Sequence, residues 1–365
     1  MQSRPMKALH RYALVLAVSL AILVFRISTA PMMFDESAYV SAARNFNAGT
    51  NSSNPEHPPL AKYLIALSIR TLGDAPLGWR FPSALAGAFL ALSLFGLTFR
   101  LTRSWHSSFV AWLLVVANVF WYVMSRIAML SIFELAFEAA AVWTFMVAIE
   151  EKGKEKTLWF GLTGALFGLS IGCRWVGAIG FLVSIAYALV YYRPFLKAAS
   201  VMMATTIAAY AASWAPLIVR EHRTAHYLLT ANTFILEFQR HAKGEPRLGQ
   251  MWWSWIFRLQ PQPSLSYLVG NPVIGILGLA ALVLLLWQRK PLLPALYFAH
   301  VMQWAIAIRP VTYYYYYLEP ISWLSVALAV AMQDITIRRA RLDVVVTGCA
   351  LVAFVFWYMN FVLPG

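Results

Sequence analysis

Residues 34–63 read FDESAYVSAARNFNAGTNSSNPEHPPLAKY, from Phe34 to Tyr63, and this polar stretch lies between two apolar windows at 8–30 and 78–99. Each window has roughly the 20 apolar residues that a helix needs to cross the hydrocarbon core. The quoted stretch is therefore a connection between two membrane helices. It holds adjacent carboxylates, Asp35 and Glu36, just past the first window, and His57 and Lys62 about twenty residues later.

Working outward, the 365-residue chain is 61% hydrophobic and only 12% charged. Soluble domains carry about 25% charged residues, so this chain has lipid as its main solvent. Further apolar windows follow at 106–125, 127–149, 157–173, 175–192, 198–219, 271–288, 292–309, 318–333 and 343–362. With the first two they predict an all-α integral membrane protein of about eleven transmembrane helices, read as one multi-pass catalytic domain over 1–365. The first window follows Arg4, Lys7 and Arg11, is too long for a signal-peptide core, and reads as a retained signal-anchor. Cys173 and Cys349 lie far apart without CxxC spacing, which points to neither a disulfide framework nor a zinc site. The net charge of +14 contains no Lys/Arg run dense enough for a nucleic-acid patch, and fits basic loops beside a bilayer.

Short loops decide orientation, because long ones translocate largely regardless of charge. Arg100/Arg103, Lys152/Lys154/Lys156, Arg193/Lys197, Arg289/Lys290 and Arg338/Arg339/Arg341 fall on one side, with the N-terminus. The opposite short turns carry only Arg126, Arg174 and Arg309. This places the N-terminus in the cytoplasm and the C-terminus outside, in a plasma (inner) membrane. Two long external loops result, 31–77 and 220–270. ESAYVSAARNF, the run from HPPLAK onward, TAHYLLTANTFILEFQRH and WWSWIFRLQPQP within them read as interfacial helices.

Several residues have both a structural and a chemical reading. Asp35 suits a helix N-cap, and it equally suits a general base at the membrane surface. His57 and Lys62 either start a proline-led helix or line a site held rigid by the prolines. Arg126 (SRIAML), Arg174 (CRWVG) and Arg309 (AIRPV) are snorkelling anchors, or they converge on an anionic group such as a lipid phosphate. Glu134 and Glu138, one turn apart within an apolar window, cost about 2.5–3.5 kcal/mol each to insert. They must face protein or a polar cavity, as hydrogen-bonded structural acids or as a proton path. Tyr315 and Glu319, in YYYYYLEP, pose the same question. No GxxxxGK[ST], GxGxxG or HExxH occurs, and no Asp-x-Asp, so metal-held nucleotide-sugar chemistry lacks its usual ligands. A lipid-linked donor would meet an external site directly.

Together FDES, HPPLAK, SRIAML, RWVG, GNPVIG (Gly270–Gly275) and YYYYYLEP resemble the GT-C membrane glycosyltransferases, specifically the protein O-mannosyltransferase family, in order and spacing along nearly the whole chain. The resemblance implies a polyprenyl- or dolichyl-phosphate-linked mannose donor and transfer to Ser/Thr hydroxyls outside the cytoplasm. It also implies inversion, and neither a cofactor nor a divalent metal. By position it makes Asp35 the base with Glu36 beside it. It puts the donor phosphate at Arg126, Arg174 and Arg309, and has His57 and Lys62 shape the first-loop site. Glu134, Glu138, Tyr315 and Glu319 are secondary candidates. The chain departs from the family where Ser131 replaces its usual aspartate, where the tyrosine run ends in Leu-Glu-Pro, and where the second long loop is too short for a large lumenal domain. Those departures keep a second reading open, transfer of a lipid-linked sugar to a lipid, as in the related aminoarabinose enzymes that modify lipid A, or to a glycan. A proton-coupled transporter or flippase built on Glu134 and Glu138 is a third, against which no paired broken helices or internal repeat appear. The implied partners are the bilayer, the donor and an acceptor protein or lipid, with a dimer left open and nucleic acid excluded.

Overall fold

The computed structural model describes residues 3–29, 31–50, 54–192, 195–242, 252–257, 268, 270–306, 312–336 and 342–361. Fifteen α-helices run in chain order among them: α1 (Ser3–Val24), α2 (Glu36–Ala48), α3 (Leu60–Leu72), α4 (Pro76–Thr102), α5 (Trp105–Val116), α6 (Val119–Met124), α7 (Leu130–Glu150) and α8 (Glu155–Cys173). Then come α9 (Ala178–Tyr191), α10 (Phe195–Arg220), α11 (Tyr227–His241), α12 (Pro272–Trp287), α13 (Leu292–Ile306), α14 (Leu318–Thr336) and α15 (Leu342–Phe361). Most of the described residues in each apolar window are helical. The window at 106–125 is interrupted at Ala117–Asn118, between α5 and α6. Four helices, α4, α7, α10 and α15, are by themselves long and apolar enough to cross a bilayer. The stretches expected to lie in the interface are helical as well: α2 and α3 in the first long loop, α11 and a 3-10 turn at Trp252–Phe257 in the second.

The chain forms two compact units. The first comprises 1–93 and 124–242, the second 94–123 and 243–365. In the first unit α8 packs between α7 and α10. A stripe of glycines at four-residue spacing, Gly164, Gly168 and Gly172, faces α10. A Cβ on Gly164 would come within 2.3 Å of the Met202 carbonyl, and one on Gly168 within 2.4 Å of the Thr206 carbonyl. Small residues at this spacing let two helices approach backbone to backbone in lipid, and Thr206 Oγ1 donates across the contact to Gly164 O at 2.9 Å. α2 and α3 fold back on each other as a helical pair. Asn47 Nδ2 donates to Ala66 O at 2.8 Å, and the Phe46 and Tyr63 rings lie 4.5 Å apart. Arg220, at the end of α10, donates to Asn45 O at 3.0 Å and covers the Phe46 ring. The first loop is thus a built part of the unit.

In the second unit α14 is the central helix, packed against α5, α12 and α13. Asn271, from GNPVIG, caps α12 by accepting from Val273 N at 3.1 Å, with Pro272 in the first turn, where a missing N–H costs nothing. Its amide donates to Ala117 O at 3.0 Å and Ala350 O at 2.9 Å. It thereby satisfies the carbonyl at the α5–α6 break, which lipid would leave unpaired.

Candidate active site

Asp35 sits at the N-terminus of α2, where its backbone carbonyl accepts from Ala38 N and Tyr39 N. Its side chain makes no capping bond and is exposed. Phe34, just before it, adopts φ +54. A bulky residue is uncommon in that left-handed region, and the turn there redirects the chain into α2. Tyr39, one turn on and buried, donates from its hydroxyl to Asp35 Oδ2 at 3.5 Å.

Glu36 behaves differently. It is 0% exposed and is paired with Arg80, itself 1% exposed, from the second turn of α4. Arg80 Nε donates to Oε1 at 2.7 Å and Nη2 to Oε2 at 2.9 Å, the bidentate fork for which guanidinium is suited. Arg80 also donates to Ile27 O at 3.0 Å and Pro31 O at 2.9 Å. Glu36 in turn accepts from Ala128 N at 3.0 Å and Met33 N at 3.3 Å. One buried ion pair thus joins the exit of α1, the start of α2, the second turn of α4 and the turn that follows Arg126. Arg80 was not among the residues singled out in the sequence. It lies inside an apolar window, and a charge there requires a partner, which is the signal that would have found it.

Arg126 is committed to the end of α1. Nη1 donates to Leu23 O and Phe25 O, both at 2.6 Å, and Nη2 to Arg26 O at 3.0 Å. A cation on the last carbonyls of a helix satisfies orphan acceptors and opposes the negative end of its dipole. Arg174 follows α8 in extended conformation and leads into the 3-10 turn Trp175–Gly177. It is buried, and its Nη1 donates to Ser131 Oγ at 2.9 Å, so Ser131 is a neutral acceptor for this arginine. Glu134 and Glu138 are fully buried in α7. Ser170 donates to the Glu134 carbonyl at 2.8 Å. Gly180 leaves room for Glu138, whose Oε1 lies 2.2 Å from where a Cβ would be.

The HPPLAK segment is locked by its lysine. Lys62 Nζ donates to Asn54 O at 2.5 Å and His57 O at 2.9 Å. Burial pulls this ammonium down to about 7, with Glu56 pulling the other way. Gln239 of α11 donates to Glu56 O at 3.2 Å. His57 meets the Tyr39 ring edge-on, centroids 6.1 Å apart. In the first unit, then, Asp35, Tyr39 and His57 form a contiguous row, Glu36 and Arg126 brace the backbone around it, and Lys62 fixes the loop.

Tyr315 and Glu319 are buried in the second unit. The tyrosine run forms a 3-10 turn, Tyr314–Tyr317, leading into α14. Tyr314 Oη accepts from Gly270 N at 3.1 Å, Tyr317 bonds Tyr297 through their hydroxyls at 3.1 Å, and Tyr316 stacks on Trp304. Arg309 lies outside the described residues. Among the described residues, no group of three His, Cys, Asp or Glu side chains is placed to hold a metal ion.

Residues 56–218 match the family model for dolichyl-phosphate-mannose-protein mannosyltransferases. A polyprenol-phosphate-mannose–protein mannosyltransferase from Corynebacterium glutamicum is 32% identical over 191 residues, 47% of this chain and 37% of that protein. Its namesake from Mycolicibacterium smegmatis is 32% identical over 123 residues, 33% of this chain and 24% of that one. The chain thus spans well under half the length of the curated relatives it matches. Among solved structures, the Saccharomyces cerevisiae Pmt1–Pmt2 protein O-mannosyltransferase complex, bound to its sugar donor, aligns with TM-score 0.78 at 10% identity over 96% of this chain and 89% of that one. ArnT from Cupriavidus metallidurans, bound to undecaprenyl phosphate, aligns with TM-score 0.69 at 16% identity over 93% of this chain and 63% of that one. The resemblance read from FDES, HPPLAK and RWVG is borne out: the chain has the GT-C fold, and over residues 56–218 it is similar to the dolichyl-phosphate-mannose-protein mannosyltransferases.

Proposed function

We propose that this chain is a multi-pass membrane glycosyltransferase that moves mannose from a polyprenyl-phosphate-linked donor to a Ser/Thr hydroxyl. The acceptor stands outside the cytoplasm, and the N-terminus inside. The observation that carries the reading is the division of labour between two adjacent acids. Glu36 is buried in an ion pair, while Asp35 is exposed at the head of α2 with its side chain making no capping bond. A hydroxyl is a weak nucleophile until a base takes its proton as the new bond forms. Asp35 accepts that proton, the hydroxyl oxygen bonds to the anomeric carbon from the face opposite the phosphate, and the bond from that carbon to the phosphate oxygen breaks. The polyprenyl phosphate leaves with the electron pair, so the product is inverted. A phosphate needs no acid to leave, only cations opposite the developing charge. Arg174 and Arg126, both of the first unit, are the candidates for that role, with no divalent metal required.

A second acceptor class is favoured by one feature. An apolar groove of about 570 Å3, lined by Leu16, Leu64, Leu67, Phe81, Phe89 and Phe137 among others, opens in the first unit. Its lining suits an alkyl or prenyl chain, the donor's own or that of a lipid acceptor.

The test is transfer from radiolabelled polyprenyl-phosphate-mannose with threonine peptides and a lipid extract competing as acceptors, with and without EDTA. Label in peptide, lost in Asp35→Asn and indifferent to EDTA, supports the proposal. Label in lipid moves the reading to the second class, and label in neither overturns both.

A further inference from the structure

The first unit contains a cavity of about 240 Å3 between the Pro55–Lys62 segment and helices α10 and α11. None of the chemistry above uses it. One wall is the locked loop, where Lys62 gathers the carbonyls of Asn54 and His57. The other is α11, pinned to α10 by the buried cluster of Trp214, Leu217, Ala231 and Ile235. α11 is further tied by the hydrogen bond between Tyr210 and Asn232 and by Gln239 to the Glu56 carbonyl. Interiors normally collapse on voids, because an unfilled cavity forfeits contacts on every side. Here each wall has its own support, the loop through Lys62 and α11 through its bonds to Tyr210 and Glu56.

Its lining is mixed in a definite way. Trp214 and Leu217, both buried, offer an apolar interior, and Phe234 an apolar, half-exposed rim. His57, Thr230 and Tyr227 add polar groups, and Lys62 lines it too, with its ammonium spent on the carbonyls of Asn54 and His57. A long alkyl chain needs the room that the larger groove supplies at about 570 Å3, and this cavity has about 240 Å3. A sugar would need several hydroxyl partners. One aliphatic side chain flanked by peptide amides suits both the apolar interior and the polar groups. The position fits as well. His57 lines the cavity and touches Tyr39 edge-on, and Tyr39 bonds Asp35. In an extended acceptor, at about 3.3–3.6 Å per residue, the side chain seated here would belong to a residue about two or three places from the hydroxyl at Asp35.

We propose that this cavity is the acceptor subsite of the reaction described above, taking one aliphatic side chain of an extended peptide, with α11 as the element that sets specificity. The proposal rests on Asp35 being the base, and its test separates the two claims. Peptides with a single threonine and a diazirine-bearing leucine analogue at each of the neighbouring positions are irradiated with the full chain in liposomes, and adducts are mapped by mass spectrometry. Adducts are expected on Thr230, Ala231 or Phe234, from a probe about two or three residues from the threonine. A leucine peptide should compete them away and an aspartate peptide should not. Adducts elsewhere, or none, overturn the subsite even if mannose is transferred. Adducts on α11 from a protein that transfers nothing to peptide leave the subsite standing and sink the transfer reaction. Ala231→Leu adds a kinetic readout: KM for the leucine peptide should rise at least ten-fold, the alanine peptide should become the better acceptor, and KM for the donor should hold. A rise in the donor KM instead, or competition of the adducts by polyprenyl phosphate, assigns the cavity to the donor and refutes the proposal.

Discussion

The ion pair between Glu36 and Arg80 offers a sharp energetic prediction. Arg80→Met removes a fork of two charge-assisted bonds to Glu36 and two bonds to the carbonyls of Ile27 and Pro31. Glu36 then remains as a charge at 0% exposure, held only by the amides of Met33 and Ala128. Breaking a buried pair from one side costs about 3–5 kcal/mol, because the survivor is a buried charge without its counterion. Glu36→Leu should cost a similar amount, by stranding the guanidinium. The double variant Glu36→Leu/Arg80→Met removes both charges at once and should lie well above the sum of the singles, with a coupling of about 1–3 kcal/mol. It will not return to wild type, since the carbonyls of Ile27 and Pro31 and the amide of Ala128 lose their partners too. The assay is reversible unfolding of the purified protein in mixed detergent micelles, followed by tryptophan fluorescence, for the four members of the cycle. Transfer activity should fall in both single variants in step with the fraction that misplaces Asp35, and the Asp35→Asn background should not change the cycle. Single losses under about 1 kcal/mol, or strictly additive losses, would refute the view that the pair organises the first loop.

Three further outcomes follow from the same geometry. Asp35→Asn should lower transfer by about 10²–10⁴-fold while shifting stability by no more than about 0.5 kcal/mol, because the side chain is exposed and makes no capping bond; a large stability loss would make Asp35 structural. Arg126→Ala should destabilise by about 2–3 kcal/mol by removing the donor that Leu23 O and Phe25 O share, whereas Arg174→Ala, which removes a bond to Ser131, should weaken donor affinity more than stability; the reverse ranking in binding and unfolding assays would exchange their roles. Lys62 has a folded-state value of about 7 against 10.5 when exposed, so the unfolded chain binds the extra proton between those limits. Stability should therefore rise with pH above about 7, by up to about 1.4 kcal/mol per pH unit, and Lys62→Met should remove that slope in unfolding curves taken at pH 7, 8 and 9.

The sequence exposed the parts of this protein that depend on solvent and period. The apolar windows are helical over most of their described residues, and α2, α3 and α11 lie where amphipathic stretches predict them, since lipid leaves the backbone little choice but helix. Asp35 is conspicuous in the sequence as an acid just past a membrane span, open to both a capping and a chemical reading. What could not be read was the pairing. Glu36 and Asp35 are neighbours with the same charge, and only the position of Arg80, 44 residues on, marks which of the two is braced. Arg126 has backbone carbonyls at the exit of α1, about a hundred residues earlier, as partners, and carbonyls leave no mark in a sequence. The glycine stripe on α8 was visible as letters, but its use, admitting the α10 backbone, depends on which face meets which helix.

The hold of Arg126 on the exit of α1 also bears on how the protein is made. Arg126 follows Arg26 by 100 residues, so at about 5–20 residues per second the first helix waits about 5–20 s on the ribosome side of its history before its last carbonyls find their guanidinium. Arg80 leaves the ribosome earlier and already ties Ile27, Pro31 and Glu36. The first loop can therefore be gathered in two instalments during insertion, the ion pair first and the helix end second. A translation pause placed between codons 80 and 126 would trap the half-gathered loop, where a protease directed at residues 27–34 could catch it.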